Sequence, residues 1–327
     1  MMDVLWQSIT EVAPPTPQFT DEHVSDLEGK TYLVTGGSYG VGRELAKVLY
    51  SKNAIVYLGT RSETRFNDAV EYIAADAASS KGELRLLQMD QMDLPTVVRA
   101  AQKIISEVKR LDSVWYNAGV MGHPTLTHTV QGFELHWGTN VVAHFLLNAL
   151  LTDLLLKSAR ESNGEESGEW GKVRAIWVAS DASLFSPGAD GINWDDINYE
   201  NSAASQMTLY GQSKAAAIIM ANEFAKRHGD DIVSLSLNPG HLVTGMQENR
   251  PKWLQKLGNL FSYHPKYGAY TELFAGFSKV DKSQNGSYVV PWGRFGTPKT
   301  TLREGLRARD IGARLWDLLE QEIKPYV

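Results

Sequence analysis

The chain begins without rhythm and then becomes regular. Over residues 1–29 the apolar positions follow neither a helical nor a strand period, and Pro14, Pro15 and Pro17 break any helix. From residue 30 onward, short apolar runs alternate with longer amphipathic stretches. Strands are expected at 30–35 (KTYLVT), 54–59 (AIVYLG), 84–89, 113–116, 173–179, 232–237 and 287–290. Helical spacing covers 40–50, 64–79, 95–109, 133–157 and 207–228. Strands alternating with helices of this length imply an α/β protein whose parallel sheet is covered on both faces. Right-handed crossovers then give a doubly wound, Rossmann-type sheet.

Two segments interrupt the rhythm. Residues 161–172 (ESNGEESGEWGK) are polar and Gly-rich and read as a surface loop; residues 186–205 form an acidic, turn-rich insertion. No internal repeat or composition shift divides the rest. The expected organisation is an arm, 1–29, and a single domain, 30–327.

Composition narrows the classes. The chain has 327 residues, 43% hydrophobic and 21% charged, as in an ordinary globular protein. Its net charge of −6 argues against nucleic acid as a main partner. The absence of cysteine excludes disulfides and thiolate metal sites and is compatible with a reducing compartment. The N-terminus lacks a basic region followed by an apolar core, and no run approaches the ~18 apolar residues of a membrane span, so a cytoplasmic protein without a span is expected. Asn285-Gly286-Ser287 matches a glycosylation acceptor but reads as a turn. His123 and His128 are five apart with no third ligand arranged, so no metal site is expected.

Chemistry enters with TGGSYGVG, residues 35–42, between the first strand and the first helix. Gly36, Gly40 and Gly42 allow a sharp turn and close approach of a ligand, with Ser38 and Val41 in the same loop. A helix N-terminus there offers unpaired N–H groups to a pyrophosphate; the alternative is a plain strand-to-helix turn. After the second strand comes Gly59-Thr60-Arg61, where an acidic residue would favour an unphosphorylated ribose. Arg61 can instead fork onto a 2′-phosphate, which points to NADP(H) over NAD; its alternative is a solvated surface residue. Arg43, one residue after the loop, could help hold the phosphate but is expected to face solvent.

LYGQSK, residues 209–214, sets Tyr210 and Lys214 four apart on one helix face. A phenol is a sluggish acid at neutral pH, and a nearby cation lowers its pKa. Such a pair could donate a proton to a carbonyl oxygen or accept one from an alcohol.

Further pieces occur in order: Asn117-Ala118-Gly119, Asn140 within GTNVVAHF, Ser180 within VASDAS, Asn238-Pro239-Gly240, and Thr244. With the loop and the Tyr/Lys pair, this set resembles the short-chain dehydrogenase/reductase family over residues 30 to about 290. The arm QFTDEHVSDLEGKTYLVTGG, the GTR after strand two and the ending YVVPWGRFG are closest to the retinol-dehydrogenase-like branch, and within it to reductases of fungal secondary metabolism. Departures are Tyr116 in place of a second asparagine, Ala179 in place of a second serine, and a gap of 30 residues from Ser180 to Tyr210.

The resemblance implies roles. Tyr210 is the acid–base group, and Ser180 holds the substrate oxygen. Lys214 assists Tyr210 and holds the nicotinamide ribose, while Asn140 positions a relay water. Asp90 meets the adenine end, Asn117 and Gly119 line the cofactor cleft, and Thr244 contacts the nicotinamide amide. Residues 241–265, with Trp253, Leu254, Leu257, Leu260 and Phe261 at amphipathic spacing, imply a lid over an apolar, cyclic or aromatic substrate; a core cover and a membrane-surface segment are the other readings. Leu146, Leu147, Leu150, Leu151, Leu154 and Leu155 fit core packing, and in the family the same helix can form a homodimer. The expected function is NADP-dependent reduction of a ketone or aldehyde, or the reverse oxidation. A retinoid or steroid substrate is the alternative to a secondary metabolite, and a catalytically silent NADP-binding regulator is the alternative of another class.

Overall fold

The structure is a computed structural model that describes residues 10–122, 127–163, 170–243 and 262–327. Its sheet has eight strands in the order β3-β2-β1-β4-β5-β6-β7-β8. They are β1 (Thr31–Thr35), β2 (Ile55–Thr60), β3 (Glu83–Gln88), β4 (Ser113–Tyr116), β5 (Arg174–Val178), β6 (Val233–Leu237), β7 (Tyr288–Val290) and β8 (Arg294–Gly296). β1 to β7 pair in parallel, and β8 pairs antiparallel with β7. This is the single doubly wound α/β domain the alternation predicts. The strand order reverses direction at β1, so the first crossovers run one way from it and the later ones the other.

The period-2 geometry of a strand divides the core into two layers. Leu33, Tyr57, Val114, Tyr116, Ala175 and Trp177 face one side. Tyr32, Val34, Val56, Leu58, Trp115, Ile176 and Val178 face the other. The first layer packs on α3 (Leu94–Glu107), α4 (Ala143–Asn163), α5 (Gln206–His228) and the later α8 (Ile311–Ile323). The second packs on α1 (Gly40–Ser51), α2 (Glu63–Ala74) and α6 (Pro265–Phe277). A short α7 (Thr300–Ala308) precedes α8. Each buried aliphatic or aromatic side chain in these layers contributes on the order of 1.5–3 kcal/mol.

The leucines of α4 are largely satisfied within the chain: Leu146, Leu147, Leu151 and Leu155 are fully buried, and Leu150 packs against the same core. The continuous helix from Leu135 to Ser162 is, among the described residues, long and apolar enough to cross a membrane by length and composition. However, 72% of its apolar window is buried inside the protein, as in a core helix. The expectation that no run approaches that length is corrected to this extent.

The segment before β1 lies against the domain. Val24 and Leu27 are buried in the second layer, the Leu27 amide donates to the Lys52 carbonyl, and Phe19 packs edge-on to Phe274. Further upstream, Glu11 is buried and its carboxylate accepts from Asn238 Nδ2 at 2.8 Å. The insertion 186–205 is tied down by Gln212 of α5, which accepts from the Asn193 amide and donates to the Ile197 carbonyl. Ser205 then caps α5 by accepting from the Thr208 amide, as an N-cap serine does.

Candidate active site

The loop after β1 and the turn after β4 hold each other. Gly36 and Gly40 adopt φ of 67° and 58°, which an L side chain rarely tolerates. At Gly42 a Cβ would lie 2.5 Å from Asn117 Nδ2 and 2.7 Å from the Gly36 carbonyl oxygen. The backbone at that point has no room for a side chain. α1 begins at Gly40 with no side chain capping it, so its first N–H groups remain for an anion. This uncapped, Cβ-free cradle fits the pyrophosphate of a dinucleotide. Ser38 donates to Thr60 Oγ1 at 3.1 Å, tying the loop to the end of β2. Val41 presents its side chain to the core, where it packs against Gly268 of α6.

Arg61 is exposed just beyond β2. Arg43 does not face solvent as expected. Its guanidinium stacks 3.7 Å from the centre of the Tyr72 ring, with Tyr39 on another side at 5.4 Å, because the two tyrosines offer π-faces on which a weakly hydrated guanidinium can lie. Asp90, just after β3, is half-buried and accepts from the Met92 amide.

Thr35, the last residue of β1, ties the glycine loop to the turn after β4 and to α4. Its Oγ accepts from the Asn117 and Ala118 amides, both at 2.9 Å, and lies 3.1 Å from His144 Nε2. His144 Nδ1 lies 3.2 Å from the Asn140 carbonyl. A carbonyl can only accept, so Nδ1 carries the proton and Nε2 accepts from Thr35. Burial, with Lys214 nearby, pushes the His144 pKa down to about 3, and the imidazole stays neutral. Asn140 sits in a π-helical turn, Gly138–Val142, that leads into α4. Such turns interrupt the ordinary ladder and free backbone groups for other partners. Its side chain receives the Val120 amide at 2.9 Å and donates to the Val120 carbonyl and Ser213 Oγ. Gly119 stands against this group: a Cβ there would be 3.3 Å from Asn140 Oδ1 and 3.5 Å from Lys214 Nζ.

Lys214 is buried, and its Nζ donates to the Val178 carbonyl at 2.8 Å, 5.5 Å from the centre of the Tyr210 ring. Burial lowers its pKa to about 8. The Tyr210 hydroxyl is hydrogen-bonded to Ser180. Its pKa is raised, first by burial and then by the charge of Asp181, against the opposing pull of the Ser180 bond. The expected lowering by Lys214 is therefore not what the protein alone produces. The phenol is buried and faces a carboxylate, and those two effects prevail. His136 holds the ring from one side, edge-on at 6.0 Å, and is itself fixed by Glu134 and the Gly122 amide.

Thus Tyr210, Ser180, Lys214, Asn140, Gly119 and Asn117 converge at the C-terminal ends of β4 and β5, beside the glycine loop. Thr244 and most of 241–265, including the five apolar residues singled out, lie outside the described residues, as does His123. The described ends of that segment meet: Val243 donates to the Tyr263 carbonyl and Tyr263 to the His241 carbonyl. Sequence reasoning missed Thr35, His144, Asp181, His241 and Glu11. Two of these had a positional signal, Asp181 directly after Ser180 and His241 directly after Pro239-Gly240.

The glycine cradle, the Tyr–Lys helix and the serine at the end of β5, on this sheet order, define an oxidoreductase of the nicotinamide-dependent type. The chain belongs to the short-chain dehydrogenase/reductase family. The family model for short chain dehydrogenases matches residues 30–170. A short-chain dehydrogenase/reductase of Phomopsis amygdali is 38% identical, covering 97% of this chain and 96% of the relative. One of Armillaria gallica is 35% identical over 98% and 99%. The fungal origin of these relatives matches the resemblance drawn from the motifs. Among solved structures, the NADPH-bound carbonyl reductase from chicken fatty liver shares the fold, with a TM-score of 0.59 and 18% identity, covering 84% of this chain and 100% of that one.

Proposed function

We propose that the protein is an NADP-dependent carbonyl reductase acting on an apolar, cyclic or aromatic ketone or aldehyde of fungal secondary metabolism. The observation that carries this reading is the neutral Tyr210 phenol, buried, hydrogen-bonded to Ser180 and one helical turn from Lys214. A phenol kept protonated is poised to give a proton, which favours the reductive direction. The apolar substrate class rests on the amphipathic spacing in 241–265, and the pathway on the fungal relatives.

NADPH, when bound, supplies the hydride to the carbonyl carbon. Tyr210 gives its hydroxyl proton to the carbonyl oxygen as that oxygen gains charge. Ser180 orients the same oxygen and stabilises its developing charge. Lys214 supports the transient phenolate, and Asn140, which like Lys214 lines the wall at Gly119, would position a water for reprotonation. Gly36, Ser38, Gly40, Val41 and Gly42 would hold the pyrophosphate through their backbone, with Asn117, Gly119, Asp90 and Thr244 along the cleft. Arg61 would take the 2′-phosphate.

The test is NADPH oxidation with a panel of aromatic ketones, comparing wild type with Tyr210→Phe. Turnover lost in the variant supports the reading. NADPH binding without turnover of any panel member would favour a silent regulator instead.

A further inference from the structure

Ser180 has one hydroxyl proton, and in this structure Asp181 takes it: Ser180 Oγ donates to Asp181 Oδ1 at 3.0 Å. A lone pair is used as well, by the Ala182 amide at 3.1 Å, and Tyr210 is hydrogen-bonded to the same hydroxyl. The second carboxylate oxygen, Asp181 Oδ2, lies 2.5 Å from His241 Nε2. His241 comes from the loop after β6, immediately before the segment whose ends meet at Tyr263. The buried carboxylate of Glu11 is near enough to act on the same imidazole and is fixed on Asn238, three residues earlier in that loop. A continuous chain therefore runs from the proposed proton donor to a half-exposed histidine: Tyr210, Ser180, Asp181, His241.

We infer that Asp181 and His241 are positioning residues that decide whether the Ser180 hydroxyl is free to donate to the substrate oxygen, so that protonation of His241 switches the site towards reduction. This rests on the assignment of Ser180 and Tyr210 to carbonyl chemistry. A carboxylate paired with an imidazolium is a weaker acceptor for the serine proton than one facing a neutral imidazole. With His241 charged, Ser180 can turn its proton to the substrate. With His241 neutral, Asp181 competes for it and its uncompensated charge bears on Tyr210.

The groups facing the pair can be named from each packed element. They are Ser180 and Asp181 at the end of β5, Tyr210 on α5, Glu11 from the N-terminal segment, Tyr288 on β7, and Arg294 on β8, which faces Glu11. The hydrogen bond from Asp181, then the charges of Asp181 and Glu11, outweigh partial burial and hold the His241 pKa above its usual 6.5. The imidazolium is therefore fully present below that value and is lost as pH rises through the elevated one. Burial of Asp181 works against ionisation, yet its bonds to His241 and Ser180 keep its pKa below the usual carboxylate value.

The experiment is kcat/KM for NADPH-dependent reduction of 1-tetralone between pH 6 and 9. Wild type is expected to lose on the order of tenfold across the His241 titration, the scale of one charge-assisted hydrogen bond. His241→Gln should lose that step, keep only the change that Lys214 gives near its own pKa of about 8, and otherwise stay near the wild-type alkaline value. Asp181→Asn should also lose the step but keep its activity at pH 9. A merely structural role would lower all values and leave the step in place, which would overturn the inference. A second readout needs no turnover: the imidazole NMR titration of His241. Its pKa should fall in Asp181→Asn and rise in Ser180→Ala, which removes a donor from Asp181; no movement in either variant also refutes the coupling. Failure of the functional reading looks different, with no reduction by wild type while the NMR coupling persists.

Discussion

The proposed cofactor half and the proposed substrate half of this molecule are built by different means. Between β1 and β4 the site is made of backbone: glycines without room for a Cβ, an uncapped helix start, and Thr35 Oγ receiving the amides of Asn117 and Ala118. Beyond β5 it is made of ionisable side chains drawn from distant parts of the chain: Glu11, Asp181, Tyr210, Lys214 and His241. A backbone cradle suits a constant ligand such as a pyrophosphate. A cluster of charges suits the step in which protons move, and it leaves the walls free to vary with the substrate. The cofactor half should therefore respond to added volume, and the substrate half to changed charge and pH.

The strongest test of that division is Tyr210→Phe, expected to cost about 10²–10⁴-fold in kcat with NADPH affinity little changed; equal loss of cofactor binding would erase the distinction between the halves. Next, Gly42→Ala would force a methyl against Asn117 and the Gly36 carbonyl. It should lower stability by about 1–3 kcal/mol and weaken NADPH, as measured by denaturation and fluorescence titration. Arg61→Ala should weaken NADPH about tenfold and leave NADH nearly as before, since only one carries the 2′-phosphate. Equal loss for both cofactors would remove the phosphate assignment.

Lys214 sharpens the comparison through stability. Its folded pKa of about 8 lies below the ordinary lysine value of 10.5, so the unfolded chain holds the proton more tightly between those values. Wild-type stability should therefore rise as pH goes from 8 to 10.5, and below pH 8 the cost of burying the charge is complete. Lys214→Met should abolish activity, remove that rise and melt at higher temperature near pH 7, a gain of a few kcal/mol at most because the Val178 carbonyl loses its donor. The smallest effect is expected from His144→Leu. Thr35 and the Asn140 carbonyl each lose a buried partner, at about 1–3 kcal/mol, with a modest fall in kcat as the π-helical turn relaxes.

Much of the fold was open to reading because burial on both faces leaves short, unbroken apolar runs such as YLVT and RAIWV. β4 lies on the predicted residues 113–116, and the other predicted strands agree with the structure to within a residue or two. α6 escaped because it is wrapped by protein: Gly268, Ala269, Thr271, Glu272, Leu273, Ala275 and Gly276 are buried and show no polar face to set a period. β8 escaped because a three-residue run containing glycine gives no alternation, and it exists only by pairing with β7.

The sequence by itself determined the alternation of strands and helices, the glycine turn and the Tyr–Lys spacing. Each is a local matter, fixed by the period of an element or by the backbone freedom of a residue. Only the tertiary structure decided that Glu11 and His241, 230 residues apart, would share one cluster with Asp181, that Arg43 would lie on Tyr72, and that Tyr210 would be held protonated. A pKa and a hydrogen-bond direction depend on which charges and how much protein surround a group, and it is the packing of elements far apart in the chain that sets them.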